Sequence, residues 1–145
     1  MPDVLYFGNR FDTFQKAVGP IEKITETEVL PPTASAEIIV IDSKPQRDAA
    51  VPIGVIGVVS SDNREGLETL MKSGVRTVTC GMSYRDTVTL SGTVARLTVC
   101  LQRRLPTVGG YVREPAEFPI VYRGLDTDCL LLASAVRLLC GKDPN

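Results

Sequence analysis

The chain has 145 residues, 17 acidic against 16 basic, a formal net charge of -1 and no histidine. That length suits one domain with a substantial core, and the near-balance of charge excludes a large field drawing it to nucleic acid or anionic membrane. The missing imidazole excludes His-based acid/base catalysis, Ser-His-Asp and Cys-His nucleophile systems, and zinc sites with histidine ligands.

Val4-Leu5-Tyr6-Phe7 is a short apolar run that ends at Gly8-Asn9. Phe11, Phe14 and Val18 then follow at helical spacing until Gly19-Pro20 stops the pattern, which predicts strand, turn and helix. Ile24 to Val29 reads as a further strand and Pro31-Pro32 through Ala36 as a loop. Glu37 to Asp42 is apolar on both faces, the pattern of a parallel strand covered on both sides, and Ser43 to Pro52 is a polar loop. Ile53 to Val59 predicts a second such strand, in which Gly54 and Gly57 point to a close approach of backbone. Asp62 as N-cap, with Glu65 completing a capping box, starts a helix that places Leu67, Leu70 and Met71 on one face and stops at Gly74. Val75 to Cys80 returns as a strand, closing a βαβ unit.

Beyond Met82 the period changes. Thr87 to Leu90 alternates, Ser91-Gly92 offers a turn, and Ala95 to Leu101 alternates again with Arg96 on the polar face, so a hairpin is expected. Gly109-Gly110 breaks the chain, Tyr111 to Pro119 reads as a charged, proline-bearing surface loop that could dock a partner, and Phe118 to Tyr122 suits an edge strand despite Pro119. A last helix runs from about Thr127 to Cys140, capped by Asp126 or Thr127 and ended by Gly141, and is apolar enough to require burial. The expected fold is therefore α/β, a mainly parallel Rossmann-like sheet flanked by helices with an antiparallel hairpin extension in the C-terminal half, as one domain over residues 1–145.

Cys80, Cys100, Cys129 and Cys140 are far apart and form no Cys-x-x-Cys pair, so free thiols are expected rather than a zinc knuckle or redox motif. The N-terminal residues carry no signal-peptide pattern and no apolar run could cross a bilayer, which places the expected location in the cytoplasm.

Three segments in order carry a resemblance: Val58-Val59-Ser60-Ser61-Asp62-Asn63, then Val78-Thr79-Cys80-Gly81, then Gly124 leading into Ala133, Ala135 and Gly141. Together they resemble the later half of the ATP-binding central domain of the Mur ligases. There the first stretch is an apolar pair before Asn-x-Asp-Asp, the second ends in Thr-Tyr-Gly, and the third is a Gly-x-His-Asn helix rich in alanine. The resemblance implies a link to cell-wall precursor (peptidoglycan) metabolism. The departures concern function. Nothing near Gly8-Asn9-Arg10 matches the family's phosphate-binding Gly-Lys-Ser/Thr loop, and the sole Gly-Lys pair, Gly141-Lys142, is followed by Asp143. Asp126 stands where the family has its motif histidine, and Thr127 and Leu130 stand where it has asparagines that contact adenine. The family's flanking domains have no counterpart in these residues, so ATP-dependent ligation by this chain alone is not expected, and no cofactor is implied.

In an open parallel sheet, ligands bind beyond the carboxyl ends of the strands. The residues delivered there are Asn9 and Arg10, Asp42, Ser60, Asp62 and Asn63, and Gly81 and Met82. Taken singly they read as turn and cap residues; as a set they are the default pocket. Arg10 is the side chain able to grip a carboxylate or phosphate, and Asp42 or Asp62 would be the acid/base or magnesium ligand of a small enzyme. Arg96, Arg103, Arg104, Arg113, Arg123 and Arg137 bias the later half towards basic, a solvated strand face or an acidic-partner surface. Two functions follow: a non-catalytic binding or assembly module, or a small enzyme or nucleotide or UDP-sugar binder at the crevice. The partners left open are a small anionic ligand, a protein, or a second copy of the chain; nucleic acid and membrane are not expected.

Overall fold

The structure, a computed structural model, describes residues 2–20, 23–93, 95–122, 124 and 126–145; Arg123 of the basic set lies outside them. The chain opens with β1 (Asp3–Phe7), α1 (Phe11–Val18), β2 (Lys23–Glu26), β3 (Ile38–Ile41), β4 (Ile56–Ser60), α2 (Arg64–Lys72) and β5 (Arg76–Cys80). It continues with β6 (Val88–Thr93), β7 (Arg96–Leu101), β8 (Leu105–Pro106), β9 (Val112–Arg113), β10 (Ala116–Pro119) and α3 (Thr127–Leu139). Eight strands form one sheet in the order β2-β1-β3-β4-β5-β6-β7-β10, and β8 pairs with β9 apart from it. From β2 to β6 every pairing is parallel, with Ile38 opposite Ile56 between β3 and β4; β6, β7 and β10 are antiparallel. This is the α/β, Rossmann-like sheet with an antiparallel hairpin that the change of period beyond Met82 predicts.

Alternation along the strands divides the core. Val4, Tyr6, Ile38, Val40, Val58 and Val78 face α1 and α3, whereas Leu5, Ile39, Ile41 and Val59 face Leu67 and Leu70 of α2. Helices therefore cover both faces, which is why β3 can be apolar at every position. Burial of α3 is nearly complete from Leu131 to Leu139, leaving only Arg137 half-buried. A helix with so little polar surface has no stable solvent face, so α1 and the sheet must enclose it. In the hairpin one face joins this core through Val88, Leu90, Val99 and Leu101, while Thr89 and Ser91 oppose Cys100 and Thr98 on the other.

Several boundaries differ from expectation. The strand predicted from Ile53 begins at Ile56: Gly54 takes a left-handed φ of 96° and Ile53 is 91% exposed, because the chain turns there before it pairs. Gly57 does mark a close approach, since a Cβ there would lie 2.5 Å from Leu70 Cδ2. The N-cap of α2 is Asn63, whose side chain accepts from Gly66 N at 3.0 Å, so the Asp62–Glu65 box does not form. Met71 is exposed rather than on the apolar face, and the strand expected to reach Val29 ends at Glu26. Ser91 and Gly92 lie within β6, and the strands reverse between Thr93 and Arg96. The Tyr111–Pro119 stretch, read as a loop, holds β9 and the edge strand β10, which Phe118 and Pro119 end. All four cysteines are free.

Candidate functional site

After running outward from β1 to β2, the chain crosses back to lay β3 on the other side of β1. Such a reversal parts the loops at the carboxyl ends of β1 and β3 and opens a crevice there. Here the crevice is filled by the chain's own side chains. Tyr6, fully buried at the end of β1, stacks on Phe14 with ring centroids 4.8 Å apart and donates its hydroxyl hydrogen to Asp42 Oδ2 at 2.5 Å. Gly8 makes room for that contact, because a Cβ on it would fall 2.7 Å from the Tyr6 hydroxyl and 2.9 Å from Asp42 Cβ.

Arg10 closes the crevice. Its Nε donates to Asp42 Oδ2 at 3.0 Å and its Nη2 to Asp42 Oδ1 at 2.8 Å, the two-pronged geometry in which a guanidinium and a carboxylate bind best. Its Nη1 lies 3.0 Å from Asp126 Oδ1, the oxygen that also accepts from the backbone N–H of Asp128 and Cys129 and so caps α3. One arginine thereby ties the β1 loop to the end of β3 and the start of α3. Exposure is 7% for the Asp42 side chain, 29% for Arg10 and 54% for Asp126, so the pair with Asp42 is the dry one.

The protonation of the cluster follows from this geometry. Burial first, then the hydrogen bond to Asp42 and its charge, raise the Tyr6 phenol well above its ordinary value and keep it a donor. Arg10 is raised too, chiefly by its hydrogen bond to Asp42 against the opposing effect of burial. Burial pushes the Asp126 carboxyl up, but the bonds from Arg10 and from the Cys129 and Asp128 N–H groups outweigh it and leave it low. Asp128 is raised by burial and by the neighbouring charges of Asp126, Asp62 and Asp42, with Arg10 opposing. The buried Cys129 thiol is pushed up to about 11 by burial, Arg10 working against that shift.

The other expected site residues form no single pocket with Arg10. Asn63 uses its amide to hold Ser43 O at 2.9 Å and Ile41 O at 3.4 Å, fastening the end of β3 to the start of α2. Ser60 accepts from Asp62 N, and Asp62 itself is exposed. Gly81 is wedged between Ser61 and the buried Asp86, whose carboxylate also accepts from Ser83 N at 3.0 Å; Gln102 and Arg103 bind the carbonyls of the same loop. Met82 stands 75% exposed on it. Beside Asn9 and Arg10 lies an open depression of about 380 Å³ whose remaining wall is Phe11, Asp12, Thr13 and Glu26; it does not reach Ser60, Asp62, Asn63 or Gly81. Tyr6, Asp86 and Asp126 are the residues that sequence reasoning left out of the site. Asp126 had a visible signal as a helix cap, but nothing in the sequence pairs it with Arg10.

Chemically, the cluster is a strut. The guanidinium fork is occupied by one carboxylate and flanked by a second, so an incoming anion would meet Asp42, Asp126 and Asp128 before it met free N–H groups. Among the described residues no group of three Asp, Glu or Cys side chains is placed to hold a metal ion, and no helix is long and apolar enough to cross a membrane. The chain matches no protein-family model and no curated protein.

Proposed function

We propose that the chain is a non-catalytic binding or assembly module acting in the cytoplasm, related to the central domain of the Mur ligases and linked to cell-wall precursor metabolism. One observation carries the non-catalytic reading: at the sheet's switch point, where a ligand or reacting group would sit, Arg10, Asp42 and Tyr6 are spent on one another. A general acid or base must reach a substrate proton, and a phosphate clamp needs unpaired donors. Asp126, at the position of the motif histidine, is committed to capping α3 and to Arg10. The relationship itself is supported by the order of the three sequence segments at β4, β5 and α3. Incubated with ATP and magnesium, the protein is expected to release no phosphate above a heat-treated control. Turnover abolished by Asp62→Ala would overturn the reading.

A second reading, a nucleotide or UDP-sugar binder at the same edge, is favoured by the depression beside Asn9 and Arg10. It requires an amide shift at Asn9, Ser60 or Gly81 when ATP or a UDP-sugar is titrated. Shifts confined to other surfaces would discard it.

A further inference from the structure

On the helical face, away from the sheet edge, a groove of about 450 Å³ runs between the last turn of α1, the outer side of α3 and the segment after β10. That volume lies within the range of small-molecule sites, roughly 300 to 1,000 Å³. Ala17, Ile120 and Leu130, all partly buried, form its apolar wall, and Lys16, Arg137 and Lys142 line it with positive charge; no Asp or Glu is among its described lining residues.

Arg137 is the fixed element. Its Nη1 donates to Val18 O at 2.6 Å, its Nε to Asp143 O at 2.7 Å and its Nη2 to Asn145 O at 2.8 Å. The carbonyls of Val18 and Asp143 orient the guanidinium without cancelling its charge as a carboxylate would, and two of its five N–H groups stay free. The nearby acid, Asp143, turns its side chain to Arg113 at 2.6 Å. Lys16 and Lys142 make no ion pair among the described residues. Three cations beside a half-buried aliphatic wall, with no side-chain carboxylate among the described lining residues, match a ligand that supplies one negative group and an apolar body.

We infer that this groove binds a small amphipathic organic anion, its carboxylate-like head held by Arg137, Lys16 and Lys142 and its apolar body laid on Ala17, Ile120 and Leu130. The site is independent of the switch-point cluster, so the two readings stand or fall separately. The test is an amide-shift titration with decanoate below its micelle-forming concentration, alongside decan-1-ol and acetate. Decanoate should saturate and shift residues 16–20, 120–122, 137 and 142, whereas the alcohol lacks the head and acetate the body, and each should bind at least about tenfold more weakly. The double variant Lys16→Glu/Lys142→Glu should weaken decanoate by about tenfold with the spectrum elsewhere unchanged, since two charges are reversed at a partly screened site. Should that variant fold poorly, raising the ionic strength with the unaltered chain should weaken decanoate and leave decan-1-ol unaffected. Equal affinity for acid and alcohol, shifts clustered at Asn9 and Gly81 instead, or salt-independent decanoate binding would each overturn the assignment.

Discussion

Two arginines stand at opposite ends of α3, and their surroundings differ. At the N-terminal end Arg10 meets the carboxylates of Asp42 and Asp126; at the C-terminal end Arg137 meets three main-chain oxygens in a groove with no Asp or Glu among its described lining residues. Both are anchored by the full reach of the guanidinium, yet among the described residues only the first is paired with side-chain carboxylates. The difference shows that an arginine at a sheet's switch point is no evidence of a ligand there until its counter-charges have been found. It also shows why the open charge lies on the helical face. The cation at the crevice ties β1, β3 and α3 together, and the one in the groove has no side-chain carboxylate against it among the described residues.

The comparison can be broken most forcefully at Asp42. Asp42→Ala removes the partner of a partly buried guanidinium and of the Tyr6 hydroxyl together, so it should cost about 3 kcal/mol of unfolding free energy, read from urea denaturation. Loss of less than half of that would mean the strut is ornamental. Arg137→Gln should cost roughly 1 kcal/mol, because the carbonyls it leaves at Asp143 and Asn145 are exposed enough to take water. Finding it costlier than Asp42→Ala would reverse the assignment of roles.

The smallest effect is electrostatic. Asparagine also caps helices well, so Asp126→Asn should change stability little at neutral pH while removing the charge beside Arg10. The Asp126 carboxyl is lower in the folded chain than its ordinary value, so the unfolded chain binds the proton first as pH falls. Its contribution is present above the unfolded value of about 4 and disappears as pH drops through the folded one. The variant should therefore lose less stability than the parent on acidification below about pH 4. Asp128, raised first by burial and then by Asp126, has the opposite sign, and its carboxyl carbon should titrate at lower pH in the same variant.

How much of this could be read from the chain depends on range. The strand Ile38–Ile41 is legible because it is apolar throughout, the helix Thr127–Leu139 because it is apolar from Cys129 on apart from Ser134 and Arg137, and the hairpin because Leu97, Val99 and Leu101 alternate with other neighbours. Local errors came from competition between neighbours: Asn63 displaced Asp62 as cap since only Asn63 can also donate to Ser43 and Ile41, and Gly54 turned a predicted strand into a bend. The loops that form the crevice edge are legible, each being the residues after a parallel strand. What fills it is not, because the pairing of Arg10 with Asp42 exists only once β3 lies beside β1, and the pairing with Asp126 only once α3 docks.

The two outer strands of the sheet bear on how copies of the chain meet. Both β2 and β10 are four residues long; β10 ends in Pro119, which lacks an N–H, and the Pro119 carbonyl is already taken by the Asn145 amide. β2 carries Lys23 and Glu26 at its ends. Neither rim offers a continuous ladder for another chain to extend, and charge, proline and brevity are the devices by which sheets avoid open-ended polymerisation. Along these described rims the splicing of two sheets into one is therefore disfavoured.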